Sequence, residues 1–185
     1  TASDGIFFDD IAIMNGQTAA NVVFDPLPIG DFGTQFINAS ADRTFILRNI
    51  GNDSASGSIS VNGAPFSIVS GGGNYTLNAG EAVSVNVRFT SATTNTFNDT
   101  LTATVSGGAS GTIPLSGITI IPPVVSIDQV PSPDFGSVVV GNNMDLTFIV
   151  RNTGGSDATG IISLTNNLDY VIIVGGGSYT IAPGS

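Results

Sequence analysis

The sequence predicts an all-β protein of two tandem antiparallel β-sandwiches, each of about seven strands, with the second incomplete within the chain. Three observations predict it. Val83, Val85, Val87 and Phe89 alternate with Ser84, Asn86, Arg88 and Thr90, the period-two pattern of a strand with one buried face. Turn signals recur about every 8 to 12 residues and no stretch carries helical periodicity. The chain also repeats itself: Asp31-Phe32-Gly33 and Phe45-Ile46-Leu47-Arg48-Asn49 return 103 positions later as Asp134-Phe135-Gly136 and Phe148-Ile149-Val150-Arg151-Asn152. Gly71-Gly72-Gly73-Asn74-Tyr75-Thr76 returns as Gly175-Gly176-Gly177-Ser178-Tyr179-Thr180, offset by 104, so one residue is inserted between. A period near a hundred residues marks copies of a whole domain rather than a solenoid of short units.

Residues 1–21 have no counterpart ahead of the second copy. Gly5 to Met14 is apolar, β-branched and aromatic, and it ends at the turn dipeptide Asn15-Gly16, so it reads as a strand. Ile6, Phe8, Ala12 and Met14 share one face with Asp10; Phe7, Asp9, Ile11 and Ile13 share the other. Apolar residues on both faces suit a strand covered on both sides, or one inserted into another domain's sheet. Asp9-Asp10 reads as a solvated or capping pair, because half a Ca²⁺ site would need a D-x-D-x-D-G loop that is missing here.

The first copy spans residues 22–121. Val22 to Phe24 is a short strand broken by Pro26 and Pro28, and Asp31-Phe32-Gly33 turns into the next. Phe45, Leu47 and Asn49 share a face of the strand from Thr44. Gly57 to Val61, Phe66 to Val69 and Tyr75 to Leu77 are short strands, with Gly71-Gly72-Gly73 read as a hairpin connection. The strand at Val83 to Thr90 follows, then Leu101, Ala103 and Val105, and Thr112 to Ile121 closes the copy. Ile121-Pro122-Pro123-Val124 reads as a short stiff connector. The second copy, residues 122–185, ends at Ala182-Pro183-Gly184-Ser185, where Pro-Gly suits the centre of a type II turn leading into a further strand.

Composition narrows the function. There is no Lys, and four Arg against fourteen acidic residues give a net charge of −10. Nucleic acid and anionic membrane both require cationic side chains, so neither is an expected partner. No apolar run approaches the length of a transmembrane helix. With no His and no Cys, His-based triads, thiol chemistry and ordinary transition-metal sites are excluded. Asp31 and Asp134 repeat with the fold, which marks turns rather than catalysts. No catalytic residue, cofactor site or metal site is expected, and the chain reads as no enzyme. Mean hydropathy is +0.34 with only 10% charged residues, so a free monomer would be weakly solvated. Either Ser, Thr, Asn and Gly coat the surface, or neighbours and glycans cover it. N-glycosylation sequons begin at Asn38, Asn52, Asn74 and Asn98, about the number chance supplies.

Several of these segments together resemble the tandem Ig-like domains called choice-of-anchor D, from secreted bacterial and archaeal proteins. These are relatives of the hydin and abnormal-spindle type and similar to the major sperm protein fold. The resemblance rests on Asp-Phe-Gly, Phe45 to Gly51, Phe66 to Val69, Tyr75 to Gly80, Val85 to Phe89 and Ile113 to Gly117, and covers residues 22 to 185. It implies Ig-like sandwiches that act as spacers, stalks or adhesion modules on the cell surface, with no catalytic residues to carry over. Thr90-Ser91 stands where the family commonly has proline after its Val-x-Val-x-Phe strand.

Two accounts of the second copy stay open. In one, residues 5–14 of a neighbouring chain, with Ile6, Phe8, Ile11, Ile13 and Met14 as the assembly strand, complete it by β-augmentation, giving a head-to-tail extracellular homopolymer. In the other, the sequence is a window on a longer repeat array. A surface module binding carbohydrate or protein is the competing function. Tyr170 is its best aromatic, since Tyr75 and Tyr179 repeat and read as fold residues. A cytoskeletal Ig-like domain suits the Lys-free, Ser/Thr-rich composition less well.

Overall fold

The computed structural model describes residues 19–25, 29–130, 134–165 and 169–185. All regular structure in them is strand: β1 (Val22–Phe24), β2 (Asp31–Phe36), β3 (Ser40–Asn49), β4 (Ala55–Ser60), β5 (Phe66–Ser70), β6 (Gly73–Leu77), β7 (Ala82–Thr90), β8 (Asn95–Val105), β9 (Gly111–Ile120), β10 (Val125–Val130), β11 (Thr147–Asn152), β12 (Ala158–Ile162) and β13 (Gly177–Ile181). The fold is all-β and Ig-like, as the sequence predicts. By contacts the chain forms two compact units: one drawn from Thr1–Phe32, Ser40–Phe89 and Phe97–Gly117, the other from Gly33–Ala39, Thr90–Thr96 and Ile118–Ser185.

Strands β1, β3, β7 and β5 make one sheet in that order; β2, β9, β8, β4 and β6 make the other. The core between them is built from alternate residues of both. Val22, Phe24, Phe45, Leu47, Phe66, Val85, Val87 and Phe89 come from the first sheet. Phe32, Ile59, Leu77, Leu101, Ala103, Ile113 and Leu115 come from the second. Phe66 stacks on Phe89 at 5.0 Å between ring centroids, and Phe32 lies 5.5 Å from Phe66 and 5.9 Å from Phe89. Phe97 meets Phe89 edge-on at 5.9 Å. Gly117 sits beneath this group, where a Cβ would come within 2.6 Å of Phe89 Cε1.

The Gly71-Gly72-Gly73 segment is not a hairpin turn. β5 pairs with β7, whereas β6 pairs with β4 in the opposite sheet, so the glycines carry the chain across the sandwich. Gly71 and Gly73 have φ of +76° and +82°, and a Cβ on Gly72 would strike Ile68 at 2.8 Å. Gly71 meets both constraints at once, since a Cβ there would also lie 2.0 Å from Ser84 O, and only glycine fits that position.

Candidate interaction surface

The strand pairs of residues 125–181 repeat those of the first copy residue for residue. Val22↔Asn49 and Phe24↔Leu47 in β1–β3 correspond to Val125↔Asn152 and Ile127↔Val150 in β10–β11. Ala55↔Leu77 and Gly57↔Tyr75 in β4–β6 correspond to Ala158↔Ile181 and Gly160↔Tyr179 in β12–β13. Even the aromatic pair returns, with Phe135 and Tyr170 at 5.3 Å where the first copy has Phe32 and Phe66 at 5.5 Å.

Polar ties repeat as well. Asn49 is fully buried on the apolar face of β3. Its Nδ2 donates to Asp53 O at 2.8 Å and Leu77 O at 3.0 Å, and its Oδ1 accepts from Gly51 N at 3.0 Å. Asn152, also fully buried, donates to Ser156 O at 2.8 Å and Ile181 O at 2.9 Å and accepts from Gly154 N at 3.0 Å. Arg48 pairs with Asp25 at 3.6 Å, and Arg151 pairs with Asp128. Both arginines are half-exposed, and each neutralises a carboxylate within its own copy. At the C-terminal turn Gly184 has φ of +73° and Ser185 N donates to Ala182 O at 3.3 Å, as Pro-Gly there requires.

What does not repeat is the second edge of each central strand. In the first copy β3 lies between β1 and β7, and β4 between β6 and β8. Among the described residues β11 pairs with β10 alone and β12 with β13 alone. The core side is correspondingly open. Phe45 is 1% exposed and its counterpart Phe148 44%; Phe66 is 0% exposed and Tyr170 54%. Between the two strand pairs lies a trough of about 1380 Å³ lined by Ile127, Phe148, Val150, Ile162, Leu164 and Tyr170 among others. That exceeds the roughly 300–1,000 Å³ of a small-molecule site. Its lining corresponds to the faces that β7, β8 and β9 cover in the first copy. Chemically it can take apolar side chains and main-chain hydrogen bonds, and its shape suits a strand.

The assembly-strand residues Ile6, Phe8, Ile11, Ile13 and Met14, together with Asp9 and Asp10, lie outside the described residues. The sequon residues Asn38, Asn52, Asn74 and Asn98 are all exposed. Tyr75 donates its hydroxyl to Thr104 O at 2.7 Å, tying β6 to β8, and burial raises its pKa above 10.0. Tyr170 lies at the trough beside Phe135, as a copy of the core ring Phe66 rather than an isolated surface platform. Among the described residues no three acidic side chains gather, and no helix is long and apolar enough to cross a membrane. Sequence reasoning missed the two buried asparagines. Their signal was a polar residue closing the apolar file Phe45, Leu47, Asn49 and repeated at the end of Phe148, Val150, Asn152.

Residues 20–117, more than half of the chain, match the HYDIN/CFA65/VesB-like Ig-like domain. No curated protein matches the chain by sequence. Among solved structures it is similar to the ASH/PapD-like domain 7 of human CEP192, with 12% identity and a TM-score of 0.43 over 56% of this chain and 87% of that one. It is similar to the Vibrio cholerae VesB protease, with 19% identity and a TM-score of 0.38 over 57% of this chain and 33% of that one. Similarity extends to SSP-19, an MSP-domain protein like family member in Caenorhabditis elegans, with 15% identity and a TM-score of 0.38 over 53% and 98% of the two chains.

Proposed function

The chain belongs to the HYDIN/CFA65/VesB-like Ig-like domain family, and from that premise we propose that it is a non-enzymatic structural subunit or segment of an extracellular filament, stalk or adhesin built from repeats of the choice-of-anchor D kind. Assembly runs head to tail: residues 5–14 of one copy enter the open trough of the second repeat in the next copy.

The observation that carries this reading is that, among the described residues, β11 and β12 each have an unpaired second edge beside exposed apolar residues whose first-copy counterparts are buried. An open edge is a template for strand addition, and proteins that avoid it blunt their edges with Lys, Pro or inward charges. The chain has no Lys, and neither β11 nor β12 contains Pro. Residues 5–14 supply an apolar segment of strand composition. The weakly charged, Lys-free composition suits a cell exterior where neighbours cover the surface, and the four exposed sequon asparagines, at the number chance supplies, permit glycans there without arguing for them.

Equilibrium sedimentation of the chain with and without residues 1–21 tests the reading. The expected result is concentration-dependent polymer from the whole chain and monomer from the shortened one. Equal polymerisation of both, or a monomeric whole chain, overturns it.

A further inference from the structure

Strand donation leaves two edges to choose between. Resting on the assembly reading above, we infer that Ile13 and Met14 of a second copy pair antiparallel with Ile162 and Ile161 of β12, in the place Ala103 and Thr104 of β8 hold beside β4, with Phe7, Ile11 and Ile13 directed into the trough.

The inward file of β8 is Phe97, Asp99, Leu101 and Ala103. Leu101 and Ala103 are fully buried, while Phe97 and Asp99 are part-buried. One face of the N-terminal segment carries the same order at the same spacing: Phe7, Asp9, Ile11, Ile13. The acidic member is what discriminates. In β8 it is accommodated because Asp99 lies toward the strand's open end and accepts from Asn62 N at 3.1 Å and Asn62 Nδ2 at 2.5 Å. The second copy carries Asn166-Asn167 in the corresponding stretch of sequence, between Leu164 and Tyr170.

The other edge refuses the segment. The place of β7 beside β11 calls for three consecutive inward apolar residues, since Val85, Val87 and Phe89 are each 0% exposed. Every set of three alternate residues within positions 5–14 contains Asp9 or Asp10. Any register there would strip a carboxylate of its hydration with no partner.

A second match comes from the outer face. In the first copy Ile59↔Ala103 is an inward pair and Ser58↔Thr104 an outward one, the two hydroxyls lying 3.0 Å apart. Carried over, Ile59↔Ala103 becomes Ile162↔Ile13, and Ser58↔Thr104 becomes Ile161↔Met14. Ile161 is 73% exposed. A polar cross-strand pair is thereby replaced by an apolar one on both sides at once, as direct neighbours require.

The chain has no cysteine, so introduced pairs report cleanly. A chain carrying Ile13→Cys and Ile162→Cys, assembled and then oxidised, is expected to run as a disulfide-linked ladder on a non-reducing gel. The Ile11→Cys and Ile162→Cys chain, two residues out of register, is expected to give none. A ladder from Ile11→Cys instead, or from Ile13→Cys with Val150→Cys on β11, overturns the register or the edge while leaving strand donation standing. A whole chain that never polymerises removes the assembly reading itself. Should the cysteine chains fail to assemble, hydrogen exchange on the unmodified protein decides. Backbone amides of β12 are expected to be protected in the polymer and open in the chain lacking residues 1–21; protection gained only along β11 overturns the inference.

Discussion

Asn49 and Asn152, 103 residues apart, close the same turn with the same four side-chain hydrogen bonds. Beyond the bonds to the turn itself, Asn49 Oδ1 accepts from Asn21 N at 3.4 Å and Asn152 Oδ1 from Val124 N at 3.1 Å. Two donors and two acceptor positions are all that an amide side chain offers, and all are used. Each asparagine therefore pins the start of its copy, the turn after its strand and the end of the β6-type strand to one point. Replacing Asn49 with Ala leaves two carbonyls and two amides in a buried turn without their partner. The expected loss is about 3 kcal/mol, read as a lower urea midpoint with an unchanged slope. Asn49→Asp should fare no better, because it keeps the acceptor but removes both donors.

Gly117 and Phe89 test the packing of the first core. Phe89 is fully buried and held by Phe32, Phe66 and Phe97, so its ring cannot retreat from a Cβ built 2.6 Å away. Gly117→Ala is expected to cost about 1–3 kcal/mol through overpacking. Chemical denaturation measures it, and a Phe89→Leu background should recover part of the loss by making room.

Much of this architecture is legible in the sequence, and the reasons for the rest are specific. Val85, Val87 and Phe89 lie inward as alternation demands, because a half-buried strand filters residue type at every second position. Alternation is blind to sheet membership. Phe66 to Val69 and Tyr75 to Leu77 read as neighbours across a glycine turn, whereas β5 and β6 belong to opposite sheets. Composition also misleads where a polar residue does core work: Asn49 ends an apolar file and looks like a strand terminus until its amide is seen buried. The carboxylates of Asp25 and Asp128 were readable in principle as partners of Arg48 and Arg151, since all four recur at the interval of 103. The trough was legible only as an inequality between copies, because each apolar residue lining it is the type a closed sandwich would use.

Asp42 and Arg88 predict a pH response. Arg88 Nε and Nη2 each donate to an Asp42 oxygen at 2.7 Å, and that hydrogen bonding lowers the Asp42 pKa below 3.8. A depressed carboxylate pKa stabilises the folded state above the unfolded value and withdraws that support as pH falls through the folded one. A carbon-detected NMR titration should therefore place the Asp42 midpoint below 3.8. Arg88→Gln should raise it towards 3.8, and high salt should move it the same way, because the pair is exposed.

Phe45 and Phe148 occupy equivalent positions in β3 and β11, yet one is 1% exposed and the other 44%. Truncation should separate folding from assembly. Phe45→Ala removes a ring packed edge-on against Phe24 at 6.4 Å and is expected to cost about 3–5 kcal/mol of stability. Phe148→Ala removes a ring that still faces water in the trough, so unfolding of the unassembled chain should change by less than about 1 kcal/mol. In the polymer the same ring would be covered by the incoming strand. Its loss should then surface as assembly weakened by roughly tenfold or more, the equivalent of about 1.4 kcal/mol. Sedimentation and urea unfolding on the two variants check both halves. Equal loss of folding stability at Phe45 and Phe148 would mean that the trough is already filled within one chain.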